Sequence, residues 1–164
     1  MGSSRRILSL SAALCLAWVA ACDNPSPGGG GSPYLSLELP SAPASAEVAG
    51  VEVRLSASVW MNLMPGPPNP SGGPLVVTFR LDPTPAGTFP PGTAVERVWV
   101  IGGDHVWNTT PDEVSGDAGG VRAVARGGPE MAQGLPADVA VRLRAPSGKA
   151  VDLRVRVPAV EAAH

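Results

Sequence analysis

Lysine is almost missing from this chain. Lys149 is the single example beside eleven arginines, and these twelve basic side chains are outnumbered by fourteen acidic ones. Without a basic excess the electrostatic footprint of a nucleic-acid binder is absent, so no nucleic-acid partner is expected. Cysteine is limited to Cys15 and Cys22, and histidine to His105 and the last residue, His164. No stretch repeats apolar residues at helical spacing over three turns, which excludes a helical bundle. No serine stands in a Gly-x-Ser-x-Gly elbow. The apolar run 7–21, broken only by Ser9 and Ser11, has fifteen residues. That is short of the ~20 a spanning helix needs.

What is there begins with that run. Arg5 and Arg6 precede it, and it ends in Val19, Ala20 and Ala21, directly before Cys22. A basic start, a short apolar stretch and a small-residue end describe a secretory signal. Val19-Ala20-Ala21-Cys22 resembles the lipobox of bacterial lipoproteins. The resemblance covers residues 1–22. It implies cleavage before Cys22 and attachment of a diacylglycerol to its sulfur, often with N-acylation. Cys15 follows the bulky Leu14 and does not fit the pattern. Two acyl chains anchor stably where one is marginal, at ~0.8 kcal/mol per buried methylene. Asp23, next in the chain, resembles an inner-membrane retention signal of enteric lipoproteins, although other bacteria sort differently. The implied location is the cell envelope, lipid-anchored on the inner or outer membrane, with the membrane itself as first partner.

The expected organisation is a helical signal peptide over 1–21, a lipidated Cys22 and disordered tether over 22–33, a β domain over 34–158 and a tail over 159–164. Losing Arg5 and Arg6 takes twelve basic residues to ten against fourteen acidic, a formal −4. With Cys15 removed and Cys22 acylated, no disulfide forms within the chain, so a hydrophobic core must hold the domain. The tether carries Gly28-Gly29-Gly30-Gly31 among Ser and Pro. As a flexible coil it reaches roughly 20 Å.

Beyond the tether the period is two. Leu35, Leu37 and Leu39 alternate with polar residues, as do Val51 through Leu63 and Leu75 through Asp82. Such alternation predicts half-buried strands. Val95 to Ile101 is more uniformly apolar, as a central strand would be; 105–109 and 121–126 are shorter candidates. The Ala-rich segment 42–48 holds Pro43 and allows at most one helical turn. At the C-terminal end, Val139, Val141 and Leu143 face one way and Arg142 and Arg144 the other. Pro146-Ser147-Gly148 forms the turn, and Val151, Leu153, Val155 and Val157 resume the alternation. A three-residue loop makes paired numbers sum to 294. Leu143 then faces Val151, Arg142 meets Asp152, and Asp138 meets Arg156. Seven or eight antiparallel strands with Pro/Gly-rich turns predict an all-β, two-sheet, immunoglobulin-like sandwich, with a small barrel as the alternative.

The candidates for chemistry are few. Asp104, His105, Asp112 and Glu113, with Asp117, could ligate a divalent metal. Their spacing fits no calcium loop, and Asp and Gly are also turn formers. No metal or other cofactor is expected. Trp60, Trp99 and Trp107 are a candidate binding surface, with Trp60 on the polar phase of its strand; otherwise they pack in the core. The proline-rich segment "MPGPPNPSGGP", with Pro67 and Pro68 at its centre, could present a stiff loop to a partner or simply bridge two sheets. Arg142, Arg144, Arg154 and Arg156, with Arg122 and Arg126, could form one arginine-rich face. The reading that results is a non-catalytic envelope lipoprotein whose sandwich binds an envelope protein or a glycan, or serves structurally. Its alternatives are an inhibitor-like module using the loop 64–74 and a metal-assisted hydrolase using Asp104 and His105.

Overall fold

Residues that alternate apolar and polar along an extended chain must bury one face, and here two sheets bury theirs against each other. The computed structural model describes residues 41–64, 73–85 and 87–163. The expected signal segment, Cys22, the expected tether, the Leu35–39 alternation and the prolines Pro67 and Pro68 lie outside the described residues.

Ten strands follow in order: β1 (Ser45–Val48), β2 (Val51–Asn62), β3 (Gly73–Pro83), β4 (Ala94–Gly102), β5 (His105–Thr109), β6 (Glu113–Asp117), β7 (Gly120–Gly127), β8 (Ala137–Arg144), β9 (Ala150–Val157) and β10 (Glu161–Ala163). One sheet runs β1-β2-β3-β7-β6, with β10 also beside β2; the other runs β5-β4-β8-β9. All pairings are antiparallel except that of β10 with β2. The orders β2-β3-β7-β6 and β4-β8-β9 are the A-B-E-D and C-F-G sheets of an immunoglobulin-like sandwich, with β5 added beside the C position. Two distinct sheets rule out the barrel.

The core forms where inward positions meet. Val53, Leu55, Val59 and Met61 of β2 and Leu75, Val77, Phe79 and Leu81 of β3 come from the first sheet. Val98, Val100, Val139, Val141, Leu143 and Leu153 come from the second. Each fully buried side chain of this size contributes roughly 1.5–3 kcal/mol relative to an exposed one. No polar or charged residue is buried among the described residues.

The β8–β9 hairpin has the register read from the sequence: Leu143 opposite Val151, Arg142 opposite Asp152, Asp138 opposite Arg156. Ala145 N–H donates to Lys149 O at 2.9 Å, and Gly148 takes φ +84° in the turn. One detail differs. The Asp138 carboxylate accepts from Arg154 at 2.8 Å, across a diagonal, rather than from Arg156 directly opposite. Strand number differs too, since β1, β6 and β10 exceed the expected set among the described residues. The 42–48 segment forms β1 instead of a turn, because Ala49 (φ +49°) and Gly50 (φ +84°) close a two-residue hairpin onto β2. The expected tail contains β10, which pairs Glu161 with Trp60 and Ala163 with Asn62.

Both sheets are closed along one side. Ala44 O accepts from Leu55 N at 2.8 Å, and Pro43 O accepts from Arg154 N at 2.9 Å, so the entering chain bridges β2 and β9. Along the opposite side β6 is the outermost strand of its sheet, short and exposed throughout.

Two substitutions test this packing by urea denaturation. Leu153→Ala should lower the unfolding free energy by ~2–5 kcal/mol through lost burial and a residual cavity. Gly120→Ala should also destabilise, by about 1–3 kcal/mol. Gly120 holds φ +143°, and a methyl there would sit 2.8 Å from Leu81 O.

Candidate functional site

The outer face of the six-stranded sheet carries the residues whose phase opposes the core. Register sets them in rows. Trp60, Val76 and Arg126 form one, and Ser58, Thr78, Val124 and Glu113 the next. Ser56, Arg80, Arg122 and Ser115 form the third. Trp60 points outward because Val59 and Met61 point inward, and it is half-buried there. Together these rows shape a groove of about 410 Å³ with Trp60, Thr78, Ser115 and Arg122 in its walls. A shallower hollow of about 180 Å³ adjoins it, sharing Thr78 and Arg122 and adding Ser56, Ser58 and Arg80.

Charge along this groove is uneven. Arg126 pairs with Glu113 at 2.9 Å, and its backbone N–H donates to Asp112 Oδ2 at 2.6 Å. Arg80 pairs with Asp82 at 3.0 Å. Arg122 stands directly opposite Arg80 and has no acidic partner among the described residues. Like charges on facing positions repel, so this is an unfavourable pair that the fold tolerates in the middle of a sheet.

The other sheet treats its outward tryptophan differently. Trp99 lies on the outer side of β4, grouped with Ala140 and Ile101 apart from the main core, yet is only 4% exposed. Arg142 lies over its ring at 5.4 Å. A bidentate pair of 2.7 Å bonds to Asp152 holds that guanidinium in place. The buried Trp99 Nε1 has no partner among the described residues. Trp99 is therefore roofed and offers no surface. Trp107 packs against the core, over Gly128, where an added methyl would meet the ring at 2.7 Å. Of the three tryptophans among the described residues, Trp60 alone fronts a groove on an outer face.

The six arginines do not share a face. Arg142, Arg144, Arg154 and Arg156 belong to β8 and β9 on one sheet, and Arg122 and Arg126 to β7 on the other. Arg144 is held by Glu96, with a second bond at 3.0 Å. Hydrogen bonding to that carboxylate, then its charge, raises the Arg144 pKa above its ordinary value.

Asp104 and His105 stand exposed at the β4–β5 turn, beside a hollow of about 220 Å³ that also touches Met131 and Leu135. Asp112 and Glu113 are engaged with Arg126. No group of three or more His, Cys, Asp or Glu residues able to hold a metal ion assembles among the described residues. A further cavity of about 430 Å³ opens where the β3–β4 connection crosses β6, with Phe89, Pro90, Val114 and Val121 in its lining. Phe89 N donates to Ala118 O at 2.7 Å and fastens that crossing.

The roof over Trp99 is testable by fluorescence. Arg142→Ala should shift tryptophan emission to longer wavelength and make it more accessible to acrylamide. It should also cost about 1–3 kcal/mol of stability, since Asp152 is then left partly buried without its cation. Compared with protein families, with curated proteins and with solved structures, the chain finds no match in any of the three.

Proposed function

We propose that this protein is a bacterial cell-envelope lipoprotein, anchored through a lipidated Cys22, whose immunoglobulin-like sandwich is a non-catalytic binding module. The anchor rests on the lipobox-like Val19-Ala20-Ala21-Cys22 after a basic, apolar leader. The binding role rests on one observation: a tryptophan kept on the outward phase of a long strand, half-buried at the end of a polar groove. Aromatic side chains are enriched where proteins bind others, because a rigid amphipathic ring gives contact area at little entropic cost. The groove walls offer hydroxyls and guanidinium groups but no nucleophile–base pair.

The other two readings draw less support. The inhibitor-like loop has residues 65–72 outside the described residues. The hydrolase would rely on Asp104 and His105, exposed at a turn and in no group of three or more His, Cys, Asp or Glu among the described residues.

Membrane fractionation tests the anchor. Full-length protein should appear in the membrane fraction, with an intact mass matching a chain that begins at an acylated Cys22. Cys22→Ser should release it or leave the leader uncut. An unmodified thiol at Cys22 overturns the anchor. Binding is tested by placing a photocrosslinking residue at Ser58 in intact cells; adducts that vanish with Trp60→Ala are expected, and adducts indifferent to Trp60 refute the groove as the working surface.

A further inference from the structure

We infer that the groove beside Trp60 takes a carboxylate-bearing saccharide, such as a uronic-acid oligomer. This rests on the binding-module reading and names its ligand class. Three features of the groove point the same way. Trp60 supplies an apolar, rigid wall on which the C–H face of a pyranose ring can lie. Short hydroxyls line the two hollows: Ser58 faces Thr78 across β2 and β3, Ser56 follows two residues away on β2, and Ser115 stands beside Arg122. Such groups exchange water for sugar hydroxyls at little cost. Arg122 lines both hollows and, of the three arginines lining them, is the one with no described acid beside it.

That last point sets the charge of the ligand. Among the residues lining the two hollows are three guanidinium groups, of Arg80, Arg122 and Arg126, and one carboxylate, of Glu113. Glu113 balances Arg126, and Asp82 just outside balances Arg80. One positive charge is left over, facing another arginine across the strands. A carboxylate arriving between Arg122 and Arg80 would relieve that repulsion and accept a bidentate fork, the geometry a guanidinium presents to a planar anion. Densely charged polyanions are disfavoured. Glu161 pairs beside Trp60 at the rim, and the chain as a whole is formally −2. Widely spaced single carboxylates on a neutral sugar scaffold suit this pattern.

The experiment uses the full protein extracted in detergent and matched probes: tetragalacturonate, a mannuronate tetramer and a hyaluronate tetramer, each beside its methyl ester. Esterification removes the charge and leaves the sugar. Tryptophan emission and calorimetric titration should detect binding of at least one acid form. Its ester should bind about tenfold more weakly or worse, as expected for loss of a charge-assisted bidentate contact. Arg122→Gln should weaken the acid by a similar factor while leaving the ester unchanged. Trp60→Ala should weaken both. Arg156→Gln, on the other sheet, should change neither, and circular dichroism should show all variants folded. Equal binding of acid and ester, or an acid affinity indifferent to Arg122, overturns the carboxylate assignment while leaving a Trp60-dependent module standing. No binding of any acid form overturns the ligand class; the crosslinks from Ser58 in cells then decide separately whether the groove binds anything.

Discussion

Water is shut out of a single seam where the inward side chains of the two sheets meet, and the position of every outward residue follows from that seam. Val59, Val77 and Phe79 press from one side, and Val98, Val141 and Leu153 from the other. The side-chain period of a strand is two, so burying Val59 and Met61 leaves Trp60 no choice of face. A slip of one residue in β2 would drive the indole into the seam and push valines into solvent. The placement of Trp60 in the groove is thus a consequence of core register.

On both outer faces most charges are settled in pairs, and a few are not. On the four-stranded sheet, Arg142 meets Asp152, Arg154 meets Asp138, and Arg144 meets Glu96, so each of these cations has its own acid. Arg142 is held so firmly that it doubles as a lid for Trp99. On the six-stranded sheet Arg54 and Arg122 have no ion pair among the described residues. Exposed ion pairs add little stability one by one. What their distribution decides is the local potential, uneven where Arg122 faces Arg80 and equally where Arg97, bonded to Asn108, faces Arg142.

Much of this architecture could be read from local pattern, and the parts that could not have definite physical causes. The β8–β9 register followed from alternation plus a Pro-Ser-Gly turn, both encoded within twenty residues. The outward phase of Trp60 was equally legible. The first strand was hidden because its turn is Ala49-Gly50, and Ala at φ +49° carries none of the Asn or Asp signal such turns usually show. β6, with Glu113 through Asp117 exposed along its whole length, has no buried phase to announce it. β10 is three residues long and exists through a partner far away in sequence. Alternation tells which side of a strand a residue takes but not which sheet the strand joins. Hence alternation alone groups Arg122 and Arg126 with arginines of the other sheet, and does not reveal that Arg122 and Trp60 line one groove.

The parallel docking of β10 against β2 bears on how the domain completes itself. Glu161 must find Trp60, and Arg154 must find Pro43, across sequence separations of roughly 100 residues (161 − 60 and 154 − 43). Loop closure over such spans is entropically costly and slow compared with hairpin formation. The local hairpins β4–β5, β6–β7 and β8–β9 can assemble while the chain is still emerging. The rim of β2 at Trp60–Asn62 stays unsealed until Glu161–Ala163 arrives. A nascent chain halted short of Glu161 would expose that rim as an adhesive strand, so β10 guards against self-association.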